Sequence, residues 1–277
     1  MADLPITVSD GIVSAGEAFL DDTPLLRAHA GTQPDLFLRW NAIPLDSAAV
    51  DVVVHLHGFS REGDAMPLAE KVPRSGLDLS RRRRPTLALL PRGNWLRYSW
   101  YDHPALLAGG IDQLIEYGLA QVSAALPSTP AAGLEMDRFI LTAHSGGGMP
   151  AVDAIDGTGQ PPDELHVFDG LYGHDPASGD PMRSLETINR WLAGRLAREP
   201  EREGALRVVY VEQQTGLLSR RVGALIARQL GATEPALAAS LRRRYRVEPS
   251  AVQHARIAER CGPDLLAAAD AEFDWSR

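Results

Sequence analysis

The sequence has almost no cysteine, no long apolar run and no excess of positive charge. Its single cysteine, Cys261, excludes an internal disulfide, so a reducing compartment is acceptable. No apolar run approaches the roughly 20 residues that cross a membrane. Residues 1–30 lack the basic start and apolar core of a signal peptide. We therefore expect a cytoplasmic protein that makes no membrane contact.

The charge balance argues against polyanionic partners. The chain carries 28 Lys and Arg against 36 Asp and Glu, for a net charge of −8. Such a chain has no general affinity for nucleic acid. The one basic cluster, Arg81–Arg84, precedes an apolar run and is interpreted as part of a solvated loop. The expected partner is instead a small molecule.

Apolar runs and amphipathic stripes alternate along the 277 residues, of which 44% are hydrophobic. Alternation of strands and helices predicts a mostly parallel central sheet with helices on both faces, an α/β fold. We predict one domain over residues 1–277, with 1–49 supplying N-terminal strands and loops. The predicted strands are 36–40, 50–56, 86–90, 139–141, 165–168, 206–211 and 244–247; the predicted helices lie around 111–122, 149–155, 181–196, 222–230 and 236–241, with a helical C-terminus.

The stretch 137–150 combines a buried strand with a glycine-rich turn. Phe139, Ile140 and Leu141 form an apolar run suited to a strand buried on both faces. The next residues, AHSGGG at 143–148, are close to G-x-S-x-G, in which a serine lies on a sharp turn between strand and helix. Ala143 replaces the first glycine, a small change in volume. A glycine-rich loop without chemistry is the alternative interpretation.

Polar residues follow several apolar runs at one predicted edge of the sheet. Active sites of open α/β sheets gather at the carboxyl ends of the strands. The residues expected there are His57-Gly58-Phe59, Ser145, Asp169, Glu212 and His254. Their common position predicts an active site more strongly than any single motif.

In these features the sequence resembles the α/β-hydrolase superfamily. The resemblance covers the chain from about Val50 to the C-terminal helices. It rests on the HGF loop at 57–59, the AHSGG turn at 143–147 and a late histidine, in the order serine, acid, histidine. It implies a serine hydrolase that cleaves an ester, amide or related acyl bond. We expect no cofactor and no metal.

Residue chemistry assigns the roles. A serine hydroxyl needs a base, and His254 is the candidate because it alone lies in the loop after the last strand. Ser145 would then form an acyl-enzyme. The backbone N–H groups of Gly146 and Phe59 are the predicted oxyanion donors. An esterase is preferred to a peptidase or amidase because small esters are the least demanding acyl substrates.

Two carboxylates compete for the role of triad acid. The common placement in the superfamily favours Glu212, which ends the strand before the last one. We predict Asp169 because it directly follows an apolar strand, and because Gly170 leaves its carboxylate room to project. An aspartate that only ties down the loop 171–173 is the alternative.

Substrate-binding roles are predicted for His57, Gly58, Trp95, Trp100 and His144. The aromatic stretch 95–101 reads equally well as a substrate-facing wall or as a structural plug. Gly58 allows close approach of the backbone to a ligand. His57 is expected to shape the loop, and His144 to pack beside the nucleophile.

Two other classes of function remain open. A metal-dependent hydrolase could use His55 and His57 with His144, His174 or Asp175, because an H-x-H pair at a strand end can bind Zn²⁺. That reading leaves the serine turn unexplained. A non-catalytic binding protein of the same fold is the third interpretation.

Overall fold

The computed structural model describes residues 4–26, 34–58, 67–95, 101–102, 109–127, 133–172, 181–211 and 214–275. The strands in these ranges are β1 (Val8–Ser9), β2 (Ile12–Val13), β3 (Gly16–Leu20), β4 (Leu36–Trp40), β5 (Ile43–Pro44), β6 (Ala49–Leu56), β7 (Thr86–Pro91), β8 (Asn94–Trp95), β9 (Tyr101–Asp102), β10 (Glu135–His144), β11 (Glu164–Phe168), β12 (Ala205–Tyr210) and β13 (Tyr245–Pro249). The α-helices are α1 (Leu68–Lys71), α2 (Gly110–Ala125), α3 (Gly148–Ile155), α4 (Pro181–Leu196), α5 (Gly216–Gly231), α6 (Pro235–Leu241) and α7 (Ile257–Ala267).

Eight strands form the central sheet, in the order β13-β12-β11-β10-β6-β7-β4-β3. The six strands from β13 to β7 are mutually parallel. At one edge β4 runs antiparallel to β7, and β3 runs antiparallel to β4. The predicted mostly parallel α/β sheet is therefore confirmed. The sequence pattern did not reveal β3, nor the small antiparallel sheet of β1, β2 and β5, because short strands at an edge carry little hydrophobic periodicity.

The helices cover both faces of the sheet, as predicted. Successive residues of a strand point to opposite faces, and β6 illustrates this. Val52 and Val54 belong to one apolar cluster with residues of α2, α3, α4 and α5. Val53 belongs to a second cluster with residues of α1 and α7. Within the described residues, no helix is both long enough and apolar enough to cross a membrane.

The interpretation of the basic cluster as a solvated loop is wrong for Arg82. Its side chain is only 7% exposed and pairs with the fully buried carboxylate of Asp51. Arg84 also reaches Asp51, at 2.8 Å, and it pairs with Asp137. A buried carboxylate is costly unless it is paired and hydrogen-bonded. These arginines therefore stabilise the start of β6, at the edge of the sheet opposite its carboxyl ends.

Two further predictions differ from the structure. The strand before Ser145 is ten residues long rather than three, because its first residues are partly exposed and carry no apolar run. The aromatic stretch after β7 has no strand pattern, so the sequence predicts one long loop there. It contains instead the short strands β8 and β9, paired antiparallel through Asn94 with Asp102 and Trp95 with Tyr101.

Candidate active site

Strand register places Ser145 next to Asp169. The last paired residues of β10 and β11 are His144 and Phe168, which lie opposite each other. Ser145 and Asp169 are the next residue on each strand, so both leave the sheet at the same level. Both also adopt left-handed backbone conformations, with φ of 51° and 48°. Such values cost free energy for residues other than glycine and are concentrated at functional sites.

The turn at Ser145 needs glycines because other backbone segments approach it closely. A Cβ on Gly147 would lie 2.1 Å from the carbonyl oxygen of Leu56, and one on Gly148 would lie 2.3 Å from that of Gly170. A Cβ on Gly58 would lie 2.7 Å from the Cβ of Ser145. All three distances are too short for a side chain. A 3₁₀ turn at Ser145–Gly147 then leads directly into α3.

His254 joins Ser145 to Asp169. It begins a 3₁₀ turn five residues after β13 ends. Its Nε2 lies 2.8 Å from Ser145 Oγ, and its Nδ1 lies 2.5 Å from Asp169 Oδ2. An ionised carboxylate only accepts hydrogen bonds, so Nδ1–H donates to Asp169. In the neutral ring, Nε2 then accepts the proton-bearing hydroxyl of Ser145.

The environment of Asp169 keeps its carboxylate ionised. Burial by itself raises the pKa of Asp169, but hydrogen bonds from His254, Thr215 and the Val211 amide hold the pKa below its ordinary value. The Val211 N–H donates to Oδ1 at 2.9 Å, and the Thr215 hydroxyl donates to the same oxygen. Oδ1 is therefore held by Val211 and Thr215, and Oδ2 is left to accept the hydrogen bond from His254.

The loop that follows β6 is anchored through the Gly58 carbonyl oxygen. This oxygen accepts hydrogen bonds from the buried Lys71 ammonium at 2.8 Å and from His57 Nδ1 at 2.9 Å. His57 Nε2 accepts the Gly93 N–H at 3.4 Å. Both ring nitrogens of His57 thus engage backbone groups, and its side chain is buried. The ring of His57 therefore links the loop after β6 to the segment after β7.

His144 packs beside His254. Its Nε2 lies 2.8 Å from the carbonyl oxygen of His254, and the two rings are 5.0 Å apart. Burial, and next the positive charge that His254 can carry, lower the pKa of His144 to about 4. The neutral ring therefore donates Nε2–H to that carbonyl, which helps to hold the loop carrying His254.

His55 lies deeper and is fully buried. Its Nδ1 is 2.8 Å from the Thr142 hydroxyl, while its Nε2 has no hydrogen-bond partner in the described structure. Burial lowers the pKa of His55 to about 3. Among the described residues, no three His, Cys, Asp or Glu side chains are grouped as a metal ion requires. His174 and Asp175, which the metal interpretation also used, lie outside the described residues.

Acidification should destabilise the protein through His55 and His144. The ordinary pKa of histidine is about 6.5. Below that pH, the unfolded chain binds protons that the folded chain does not, so the free energy of unfolding decreases as the pH is lowered. Each ring contributes about 1.4 kcal/mol per pH unit. The loss continues down to the folded pKa values, about 3 for His55 and about 4 for His144. Denaturant unfolding at a series of pH values measures the slope.

A His55→Asn variant provides the matched control. The asparagine side chain can place a polar atom where Nδ1 meets Thr142, but it does not titrate. We expect the stability of this variant to depend less steeply on pH between about 6.5 and 4.5. An unchanged slope would show that His55 is not the group responsible.

Several predicted site residues cannot be compared with the structure. Phe59, Trp100 and Glu212 lie outside the described residues. The backbone of Trp95 belongs to β8, whose partner β9 runs close to the turn at Ser145–Gly147. The backbone of Tyr101 and Asp102 thus lies beside the turn that contains Ser145. Gly146, the other predicted oxyanion donor, lies within that turn, at the N-terminal side of α3.

Sequence reasoning missed two hydroxyl groups at this site. The Tyr172 hydroxyl lies 3.1 Å from Ser145 Oγ. Thr215, just before α5, is buried and binds Asp169. The spacing D-G-L-Y at 169–172 was the only available signal for Tyr172. No local pattern connects Thr215 to an aspartate 46 residues earlier.

Comparison with known proteins bears on the fold. No protein-family model and no curated protein matches the chain. A solved ferulic acid esterase aligns with 93% of this chain and 97% of its own, at 9% identity and a TM-score of 0.51. An S-formylglutathione hydrolase from Agrobacterium tumefaciens aligns with 98% of this chain and 99% of its own, at 13% identity and a TM-score of 0.49. At such low sequence identity, the similarity to the esterase concerns the fold alone. The mostly parallel sheet of this chain and the strand–turn–helix around Ser145 are consistent with it. The chain has the α/β-hydrolase fold.

Proposed function

We propose that the protein is an ester hydrolase that uses Ser145, His254 and Asp169 as a catalytic triad. The observation that carries this proposal is the continuous chain of hydrogen bonds from Ser145 Oγ through both nitrogens of His254 to Asp169. The left-handed conformation of Ser145 is a second support, because such strain is retained where function requires it.

Each of the three side chains has one role in the proposed reaction. Ser145 Oγ attacks the acyl carbon while its proton passes to His254 Nε2. The charged imidazole is stabilised by Asp169, which stays ionised. Nε2–H then protonates the leaving alkoxide, and Ser145 keeps the acyl group. A water molecule attacks the acyl-enzyme by the same route, with His254 again as the base.

Backbone N–H groups are the proposed donors to the oxyanion. Gly146 follows the nucleophile and begins the helical segment, where amide groups carry partial positive charge. Phe59 is proposed as the second donor. Phe59 directly follows Gly58, whose carbonyl oxygen is held by Lys71 and His57.

Esters are the substrate class to test first. One solved structure that shares the fold is named a ferulic acid esterase, and ester cleavage asks less of a serine nucleophile than amide cleavage. His254 has a side chain that is 44% exposed, so an acyl substrate can approach the triad from solvent.

Covalent labelling tests the proposal directly. A fluorophosphonate should phosphonylate the wild-type protein at Ser145, as peptide mass spectrometry would identify. An aryl acetate should be cleaved, and the matching anilide much more slowly. Activity that survives fluorophosphonate but disappears with a chelator would favour the metal-dependent interpretation. An intact fold with neither labelling nor ester cleavage would favour a binding protein.

A further inference from the structure

Tyr172 contacts the oxygen that is expected to react. Its hydroxyl lies 3.1 Å from Ser145 Oγ, and the side chain is half-buried. Sequence reasoning placed this residue only in the loop that follows Asp169. In the described part of the chain, Ser145 Oγ has two side-chain hydrogen-bond partners, His254 and Tyr172.

The direction of this hydrogen bond follows from counting protons. Ser145 Oγ carries one hydrogen, which points to Nε2 of the neutral His254 ring. The Tyr172 O–H must therefore donate to Ser145 Oγ rather than accept from it. Burial raises the pKa of Tyr172, and the nearby Asp169 carboxylate adds to that shift. The phenol thus keeps its proton and remains a donor.

The backbone fixes Tyr172 in this position. The Tyr172 N–H donates to the Gly170 carbonyl at 3.2 Å, and Leu171 between them is fully buried. A Cβ on Gly170 would lie 2.8 Å from the carbonyl oxygen of Ser145, so this segment packs directly on the nucleophile turn. The segment that carries Asp169 thereby also carries Tyr172, and the two residues hold their positions together.

We propose that Tyr172 is a further catalytic residue of this site, an inference that rests on the proposed ester hydrolysis. Its hydroxyl donates to Ser145 Oγ in the resting protein. During attack the serine proton passes to His254 Nε2, the bond from Oγ to the acyl carbon forms, and the carbonyl electron pair moves to the oxyanion. Negative charge on Oγ builds while the proton leaves, and the Tyr172 donor stabilises that charge. Tyr172 keeps its own proton throughout, and His254 protonates the leaving group.

A Tyr172→Phe variant tests the proposal because it keeps the ring and removes only the O–H. We expect kcat for an aryl acetate and the rate of fluorophosphonate labelling at Ser145 each to fall by about 100-fold, the lower end of what losing one fixed donor costs. KM should change little. The pH at which labelling declines in acid should stay in place, because His254 remains the base.

A matched control separates chemistry from stability. Tyr245→Phe also removes a tyrosine hydroxyl with a side-chain partner, Glu199 at 3.0 Å, at the amino end of β13 and so at the opposite edge of the sheet. It should leave labelling at the wild-type rate. Thermal unfolding of both variants confirms folding. Should Tyr172→Phe fail to fold, Tyr172→Gln keeps an N–H donor and should label at an intermediate rate.

The outcomes are distinguishable. Wild-type labelling at Ser145 with an equal rate in folded Tyr172→Phe would overturn this inference and leave the proposed function standing. A shift of the acid limb would mean that Tyr172 acts through His254 instead of on Oγ, and would also overturn it. Absence of labelling and of ester cleavage in the wild type would overturn the proposed function and this inference together.

Discussion

Replacing Ser145 by alanine should abolish ester hydrolysis, with kcat falling by about 10⁶-fold, as loss of the nucleophile does in serine hydrolases. The imidazole of His254 would have no hydroxyl to activate, and no acyl-enzyme could form. Steady-state kinetics on an aryl acetate measures the loss, and fluorophosphonate labelling should disappear with it. Near wild-type turnover in this variant would refute the serine mechanism.

The same substitution should barely change stability. The left-handed backbone conformation at this position costs a similar free energy with alanine as with serine. The two partners left behind, His254 Nε2 and the Tyr172 hydroxyl, belong to partly exposed residues and can bond to water. We expect a change in the free energy of unfolding within about 1 kcal/mol. Ser75→Ala is the matched control, because it removes another buried hydroxyl, one bonded to the Val72 carbonyl at 2.7 Å, without touching the triad.

Asp169→Asn should lower kcat by about 10⁴-fold while the fold persists. An asparagine amide can donate to His254 Nδ1, which would then hold the ring in the tautomer whose Nε2 carries the hydrogen. That nitrogen could no longer accept the proton of Ser145. The variant would also lack the negative charge that stabilises the imidazolium. Single-turnover kinetics would locate the defect in the chemical step.

Two further variants make this assignment specific. Thr215→Val removes the hydroxyl that donates to Asp169 and should cost much less than Asp169→Asn, because the Val211 amide still holds the carboxylate. Glu212→Gln should lower kcat by at most about tenfold if Glu212 only supports the site. A larger loss for Glu212→Gln than for Asp169→Asn would reverse the assignment of the acid.

Much of the fold could be predicted because its signals are local. The apolar run at 50–56 and the stripe at 111–122 each reflect which face of one strand or helix is buried. The short strands β1, β2, β5, β8 and β9 escaped because two residues hold no periodicity. The interpretation of Arg82 as part of a solvated loop is wrong for a related reason. A run of arginines does not indicate whether one of them pairs with a buried carboxylate. The partner of Arg82, Asp51, lies 31 residues away in the chain.

The sequence by itself determined the class of the sheet, the strand–turn–helix around Ser145 and the edge at which polar residues gather, since each depends on neighbouring residues. Only the tertiary structure decided which groups meet there. His254 lies 85 residues from Asp169 and 109 from Ser145. Strand register places Ser145 level with Asp169, and the 3₁₀ turn after β13 brings His254 within hydrogen-bonding distance of both. Tyr172 follows β11 and Thr215 follows β12, so both reach the site from the carboxyl ends of neighbouring strands. Contacts between distant segments are set by the packing of whole elements, which no local pattern records.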